Sequence, residues 1–361
     1  MKKNLFKNAF IACVSVALFA AVITGCTKTD TPSATADQTK LTATVDSCTT
    51  LLASATVSTD YPAAAATAFQ TVLTNTKTAA LSTTITQTAV DNLAVNLRAA
   101  KATFLAAAYG AIPVANLIMG LTFDETVTGN QMTTEGKPWT AVLKAGPTEI
   151  FGTATNLPTF VPGKVGKAVY FNNGSHLEIS NYSAADLQGK QLSIAVWVKP
   201  DSTRAGNYIL SYNYWMTWKF NLQTENKPYF TVKTLNAVDN SLVDADNEMV
   251  ESAPNKTWTH LVVSLDLTNG FLSFYVNGAL TKEWTKDTQP NLTRSIVPYA
   301  TVLPLMVGAC TTYAEASLWT WSWAHTPVNW DGFIGSMDEM KIYNVALTAG
   351  QVAKMYRDEN K

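Results

Sequence analysis

Hydrophobic and polar positions follow three different rhythms along the chain, and each predicts a different kind of element. From Phe10 to Ile23 the residues are almost wholly apolar, preceded by Lys2, Lys3 and Lys7. This run is shorter than the roughly 20 apolar residues needed to cross a bilayer, and its charged start and small-residue end are those of a secretory signal. Between Leu41 and Ala108 apolar residues recur at steps of three and four. Leu41, Val45, Cys48, Leu52 and Ala55 form one stripe, Phe69, Val72 and Leu73 a second, and Val90, Leu93, Leu97, Ala100 and Phe104 a third. That spacing predicts three short helices, the second opened by Asp60-Tyr61-Pro62.

Beyond Asn116 the rhythm shortens to the period of a strand. Runs at 117–123, 167–171, 177–179, 192–198, 208–212, 219–222, 229–232, 258–267, 271–276, 303–307 and 333–343 are β-branched or aromatic, with Gly, Asn, Asp and Pro between them. Asn277-Gly278 after an alternating strand is a type I′ hairpin signal, and Thr268-Asn269-Gly270 supplies the preceding turn. No helical repeat alternates with these runs, so the prediction is a mainly β fold, an antiparallel sandwich, preceded by a small three-helix bundle. Thr348-Ala349-Gly350-Gln351 reads as a capping box, predicting a closing helix through Tyr356. The chain thus divides into 1–25 (leader), 26–40 (a polar tether without an apolar face), 41–110 (helices) and 117–361 (sandwich).

Composition narrows the partners. Lys and Arg total 26 against 27 Asp and Glu, so nothing would neutralise a phosphate backbone and nucleic acid is not an expected ligand. Ten tryptophans and thirteen tyrosines stand out. Cys13 belongs to the leader, and Cys48 and Cys310 fall in different regions, as buried thiols or as a disulfide in an oxidising compartment. Neither a CxxC nor a Cys/His zinc spacing occurs.

Two resemblances attach to these segments. Ala20-Ala21-Val22-Ile23-Thr24-Gly25-Cys26 resembles a bacterial lipobox. It implies that Cys26 is acylated and that lipid alone ties the protein to a membrane. Thr27, rather than Asp, in the next position is compatible with the outer membrane or cell surface. The helical segment is similar to FIVAR-like modules of bacterial surface proteins, which implies a spacer. In the sandwich region, "GKAVYFNNGSHLEI" (166–179), "LSIAVWVKP" (192–200), "WTHLVVSLDLTNGFLSFYVNGAL" (258–280) and "FIGSMDEMKIYNVALTAGQVAKMY" (333–356) resemble, in this order, LamG-like jellyroll domains of the concanavalin A-like lectin/glucanase superfold. The superfold hosts lectins, adhesion modules and enzymes, so function rests on a site.

The LamG-like resemblance implies a structural Ca2+ at Asp124 of "LTFDE" and Asp338 of "GSMDEM", completed by oxygens near Asn130 or from the 172–174 turn. Calcium takes six to eight oxygen ligands. The competing account makes Asp338 a buried carboxylate that accepts backbone amides without a metal. A second candidate is the run Leu318 to His325. If it is extended, Trp319, Trp321 and Trp323 face one way and offer flat rings to a sugar, with Trp330, His325, Asn329 and Asp331 at the edge. The alternative is that these indoles fill the core of a long insertion. Tyr212, Tyr214 and Trp215, beside Tyr208 and Trp218, are further ligand candidates, while Trp197, Trp258 and His260 read as structural.

Catalysis finds no support. A retaining glycosidase needs two carboxyl groups about 5–5.5 Å apart, and the Glu-x-Asp-x-x-Glu string of glucanases in this superfold is missing. "DADNEMVE" (244–251) comes nearest and reads as a solvated loop. The expectation is a surface-anchored, non-catalytic lipoprotein that binds a polysaccharide or other glycan, alongside partner proteins of a glycan-uptake system. An adhesion module for a protein partner and a glycoside hydrolase are the alternatives.

Overall fold

The structure, a computed structural model, describes residues 36–55, 57, 61–235, 240–299, 303–319, 330 and 332–361. The leader, Cys26, Trp321, Trp323, His325, Asn329 and Asp331 lie outside them. The three predicted helices are α1 (Thr39–Ser54), α2 (Ala63–Ala80) and α3 (Gln87–Ala106). Their stripes meet in one core of Cys48, Phe69, Leu73, Leu97 and Phe104, with Leu41, Val90 and Leu93 packed in a second cluster. The Phe104 ring stacks on Tyr61 and Phe69 at 4.1 and 4.9 Å. Threonine lowers helix propensity, so this shared core, rather than the helices singly, holds the unit. Among the described residues no helix is long and apolar enough to cross a membrane.

From Leu117 the chain is sheet. It opens with β1 (Leu117–Leu121), β2 (Gln131–Thr133), β3 (Glu135–Gly136) and β4 (Thr140–Lys144). β5 (Thr159–Pro162), β6 (Lys167–Phe171), β7 (His176–Ile179) and β8 (Gln191–Pro200) follow. Next come β9 (Asn207–Tyr212), β10 (Trp218–Gln223), β11 (Lys227–Leu235) and β12 (Asn240–Asp246). The last are β13 (Thr259–Asp266), β14 (Phe271–Val276), β15 (Ala279–Thr285), β16 (Leu305–Val307) and β17 (Gly335–Tyr343). Two antiparallel sheets result. The first runs β15-β14-β13-β8-β17-β1-β3, with β6 also paired to β17 and β5 paired to β6, and the second runs β12-β11-β10-β9-β16-β7-β4-β2.

Between the sheets lies the apolar core, with Val196, Val198, Phe274 and Met337 from the first facing Trp218, Phe220 and Phe230 from the second. The expected hairpin is present: Asn277 (φ 49°) and Gly278 (φ 79°) both take the left-handed conformation that a type I′ turn requires. Cys48 and Cys310 are both buried and free. One expectation is corrected. Residues 244–246 are not loop but the end of β12, because Val243 and Ala245 alternate into the core and leave Asp244 and Asp246 on the other face.

The closing helix, Ala349–Glu359, carries the expected capping box and runs three residues past Tyr356. It lies over a polar network on the far side of the first sheet. Lys341 ion-pairs with Glu339 and, at 2.6 Å, with Glu359, whose other oxygen accepts from Trp197 Nε1 at 2.8 Å. His260 sits beneath Tyr356, 1 % exposed, with both ring nitrogens unpartnered and Glu359 3.8 Å away, beyond hydrogen-bond reach. Burial, and then the Lys341 charge, pull its pKa down from 6.5 to about 3.

The sign of the pH effect follows. Below pH 6.5 the unfolded chain binds a proton at His260 that the folded chain refuses, so stability falls as pH drops from 6.5 toward 3, by up to about 1.4 kcal/mol per unit from this residue. Urea unfolding at pH 7.5, 6 and 5 should therefore show a steeper loss for the wild type than for His260→Gln. Parallel slopes would contradict the assignment.

Candidate functional site

Alternation splits the second sheet into two unlike faces. While Trp218, Phe220 and Leu222 of β10 point into the core, Lys219 and Asn221 point outward, and so do Thr231 and Tyr229 of β11 and Asp244 and Asp246 of β12. Strand register lines these side chains up. One row crosses six strands through Glu178, Met306, Ser211, Lys219, Thr231 and Asp244. A second crosses four through Tyr208, Asn221, Tyr229 and Asp246. At about 4.8 Å per strand the longer row spans roughly 24 Å.

Lys219 is the centre of this face. Its ammonium donates to Asn221 Oδ1 at 2.9 Å and lies 5.0, 5.1 and 5.9 Å from the rings of Trp215, Tyr229 and Tyr208. Cation–π contacts of this kind are worth roughly 0.5–2 kcal/mol each, and the side chain is only 2 % exposed. Burial lowers its pKa, with Cys310 and Asp244 acting the other way. Most of the remaining charges pair locally. Glu178 meets His176 at 3.4 Å and Lys144 at 3.5 Å, which hold its carboxyl below the usual range, and Asp246 meets Lys227 at 3.3 Å. Asp244 Oδ1 accepts from Thr231 at 2.5 Å.

The insertion between β16 and β17 folds onto this face. Cys310 packs with Tyr208 and Tyr214, and Trp215, Met216, Leu303 and Trp319 surround them. Thr312 caps a single-turn helix, Tyr313–Ala316, whose Glu315 accepts from Tyr214 Oη at 2.8 Å. Two polar atoms here, Thr311 Oγ1 and Trp330 Nε1, are buried without a partner.

Several candidates from the sequence take other places. Tyr212 is a core residue, 1 % exposed, its ring edge-on to Tyr182 at 5.5 Å and its hydroxyl accepting from Gln188. The cause is a bulge in β9: the register slips between Leu210 and Tyr208, so Tyr208 and Tyr212, which share a face in an unbroken strand, end on opposite faces. Tyr214 and Trp330 are also buried, at 6 % and 5 %, and Trp330 packs edge-on to Tyr313. Trp319 is not in an extended run but in the turn after the short helix, its N–H donating to Ala316 O. It stands edge-on to Tyr214 and Trp215 at 4.9 and 6.1 Å, so these rings are not coplanar. Of the described candidates, Trp215 and Trp319 keep part of their indoles at the surface. Lys219, Asn221, Thr231 and Tyr229 were not foreseen; the apolar-polar alternation of Trp218 to Leu222 was the available signal.

The two acidic candidates do converge. β17 exchanges neighbours halfway, pairing with β6 over 335–337 and with β1 over 340–343, and a bulge fills the change. Asp338 sits in that bulge and accepts three backbone amides, from Lys164 (2.7 Å) and Val165 (2.9 Å) at Oδ2 and from Glu339 (2.8 Å) at Oδ1. Burial raises its pKa to about 7 against these donors. Asp124 accepts from Lys167 at 2.9 Å, so both carboxylates grip the turn between β5 and β6. The turn comes close because it is glycine-bounded: a Cβ on Gly163 would lie 2.5 Å from Asp338 Oδ2, and one on Gly166 2.0 Å from Asp124 Oδ2. Asn130 is not part of this group; its amide donates to Leu143 O beside β4 of the second sheet. Among the described residues no cluster of three His, Cys, Asp or Glu is arranged to hold a metal.

Comparison with known proteins agrees with the sandwich. Residues 171–299 match the family model described as the concanavalin A-like lectin/glucanases superfamily. No curated protein matches the chain. Among solved structures, domain 4 of AbnA, a GH43 extracellular arabinanase from Geobacillus stearothermophilus in complex with arabinotriose, is 19% identical, with a TM-score of 0.46 over 68% of this chain and 99% of that one. The binding domain of Paraclostridial Mosquitocidal Protein 1 is 14% identical, with a TM-score of 0.47 over 68% of this chain. The binding domain of Botulinum neurotoxin DC, solved with rat synaptotagmin II, is 10% identical, with a TM-score of 0.44 over 68% of this chain. The match spans 52% of the length of each of these two toxin domains. Residues 171–299, within the sandwich, are thus similar to the concanavalin A-like lectin/glucanase superfamily.

Proposed function

We propose that the protein binds a glycan, without catalysis, on the outer face of its second sheet. One observation carries this reading: two cross-strand rows of mostly polar side chains, whose accessible members are Glu178, Tyr229, Asp244 and Asp246, run beside the part-exposed indoles of Trp215 and Trp319. Sugar rings take both halves of that arrangement, stacking C–H groups on an aromatic face and hydrogen-bonding hydroxyls at the edge. The non-coplanar indoles suit single stacked residues of a chain rather than a continuous platform. The superfamily that residues 171–299 match includes glucanases, and Asp244 and Asp246, side by side on β12, are the pair to consider for catalysis. Asp244 is exposed and Asp246 is paired with Lys227, so neither occupies the apolar pocket that makes a carboxyl a general acid.

The rest of the proposal comes from the sequence. Acyl chains on Cys26 hold the protein at the outer membrane or cell surface, the helices act as a spacer, and proteins of a glycan-uptake system are its neighbours. A structural Ca2+ at Asp124 and Asp338 belongs here too. Two carboxylates on one glycine-bounded turn suit a hard cation, and the ion would tie that turn to β17, although the amides already bound to Asp338 achieve much of this.

Two measurements test these statements. On a glycan array with the leaderless protein, at least one glycan class should bind, and Trp215→Ala should weaken it about tenfold, roughly 1.4 kcal/mol. Unchanged binding would remove the aromatic contact. In thermal melts, chelation should lower the transition temperature of the wild type and leave Asp124→Asn unmoved. Identical melts with and without chelator would leave the carboxylate–amide clasp as the whole account of Asp338.

A further inference from the structure

We propose that the ligand is an anionic glycan, a polymer bearing carboxylate or sulfate groups, and that Lys219 is the residue that selects it. This rests on the outer face being the glycan site. The Lys219 ammonium has one acceptor, Asn221 Oδ1, and no carboxylate within 4 Å among the described residues. The rings of Tyr208, Trp215 and Tyr229 stand around Nζ at 5.9, 5.0 and 5.1 Å. Lys144 pairs with Glu178 and Lys227 with Asp246, while Lys233, the next outward residue of β11 after Thr231, is half-buried and makes no ion pair among the described residues. Asp244, whose charge does act on Lys219, is bonded to Thr231 and stands in water. Of the two cations on this face without an ion pair, Lys219 is the buried one and the one set among the aromatic rings.

Burial does not hide that charge from a ligand. Nζ lies 5.0 Å from the centre of the Trp215 ring, part of which is at the surface. In surroundings of low dielectric a charge acts across that distance with little screening, whereas the exposed Asp244 is screened by solvent. A cation against one side of an indole also draws π density toward itself, which makes the ring a poorer seat for cations and a better one for a sugar carrying negative charge. A carboxylate or sulfate held over Trp215 or Tyr229 gives Lys219 the counter-charge that the protein itself withholds. A neutral sugar gains only the stacking and hydroxyl contacts.

The test compares binding of polygalacturonate, a sulfated galactan and a neutral galactan by isothermal titration, using wild type, Lys219→Met and Asp244→Asn. The wild type should bind at least one acidic polymer ten or more times more tightly than the neutral one, and the two acidic arms tell carboxylate from sulfate. Lys219→Met should lose about tenfold toward that polymer while neutral binding, if measurable, stays within twofold. Asp244→Asn, a change at an exposed position that does not endanger the fold, should tighten acidic binding about threefold. If Lys219→Met fails to give a cooperative melt, Asp244→Asn and a salt titration decide the matter: 500 mM NaCl should weaken acidic binding and spare neutral binding. Equal affinity for acidic and neutral polymers overturns the selection, and so does an equal loss for both in Lys219→Met. Binding of a neutral glycan alone would sink this inference yet keep the glycan site, whereas no binding to any glycan would remove the site itself.

Discussion

The outer face of the second sheet depends on one constraint, the period-two alternation of β10 and β11. Trp218, Phe220 and Phe230 fill the space between the sheets, and that commitment alone forces Lys219, Asn221, Tyr229 and Thr231 to the opposite side. A slip of one residue would put a lysine and an asparagine into an apolar core, at a cost of several kcal/mol. The register is therefore fixed by the core, and the outer rows are its mirror image. What the protein does with that face is set by what then covers it.

The cover is the long connection between β16 and β17. Its described residues bring Cys310 and Trp319 against Tyr208, Tyr214 and Trp215, and so back two of the three rings that stand around the Lys219 ammonium. A charge that would be an ordinary solvated lysine on an open sheet becomes a fixed buried one. On the other sheet the same problem is solved differently. There Lys341 is enclosed beneath the closing helix but meets two carboxylates, Glu339 and Glu359. The contrast is between a buried lysine with two counter-ions and one with no carboxylate within 4 Å among the described residues.

Much of the fold was legible beforehand because it is written in short-range patterns. Steps of three and four marked the helices, Asn277-Gly278 marked its hairpin, and Thr348 to Gln351 marked the last helix. The site was legible only in part. Tyr212 was misread because a bulge in β9 reverses its face, and no residue type announces where a bulge falls. Lys219 was passed over because the rings around it come from β9, the turn before β10 and β11, a grouping set by strand pairing that no local rhythm encodes. Asp338 was foreseen as either a calcium ligand or an amide acceptor. Three amides are bound to it, and they follow from β17 changing partners at that point.

The central claim is that a sugar lies against Trp215 and Trp319 and nowhere in the core. Indole N–H resonances of protein labelled with nitrogen-15 on tryptophan test it most directly, during titration with a glycan that the array identifies. The signals of Trp215 and Trp319 should move in proportion to saturation while those of Trp197 and Trp218 stay fixed. Movement confined to the core indoles, or to none, would contradict the account.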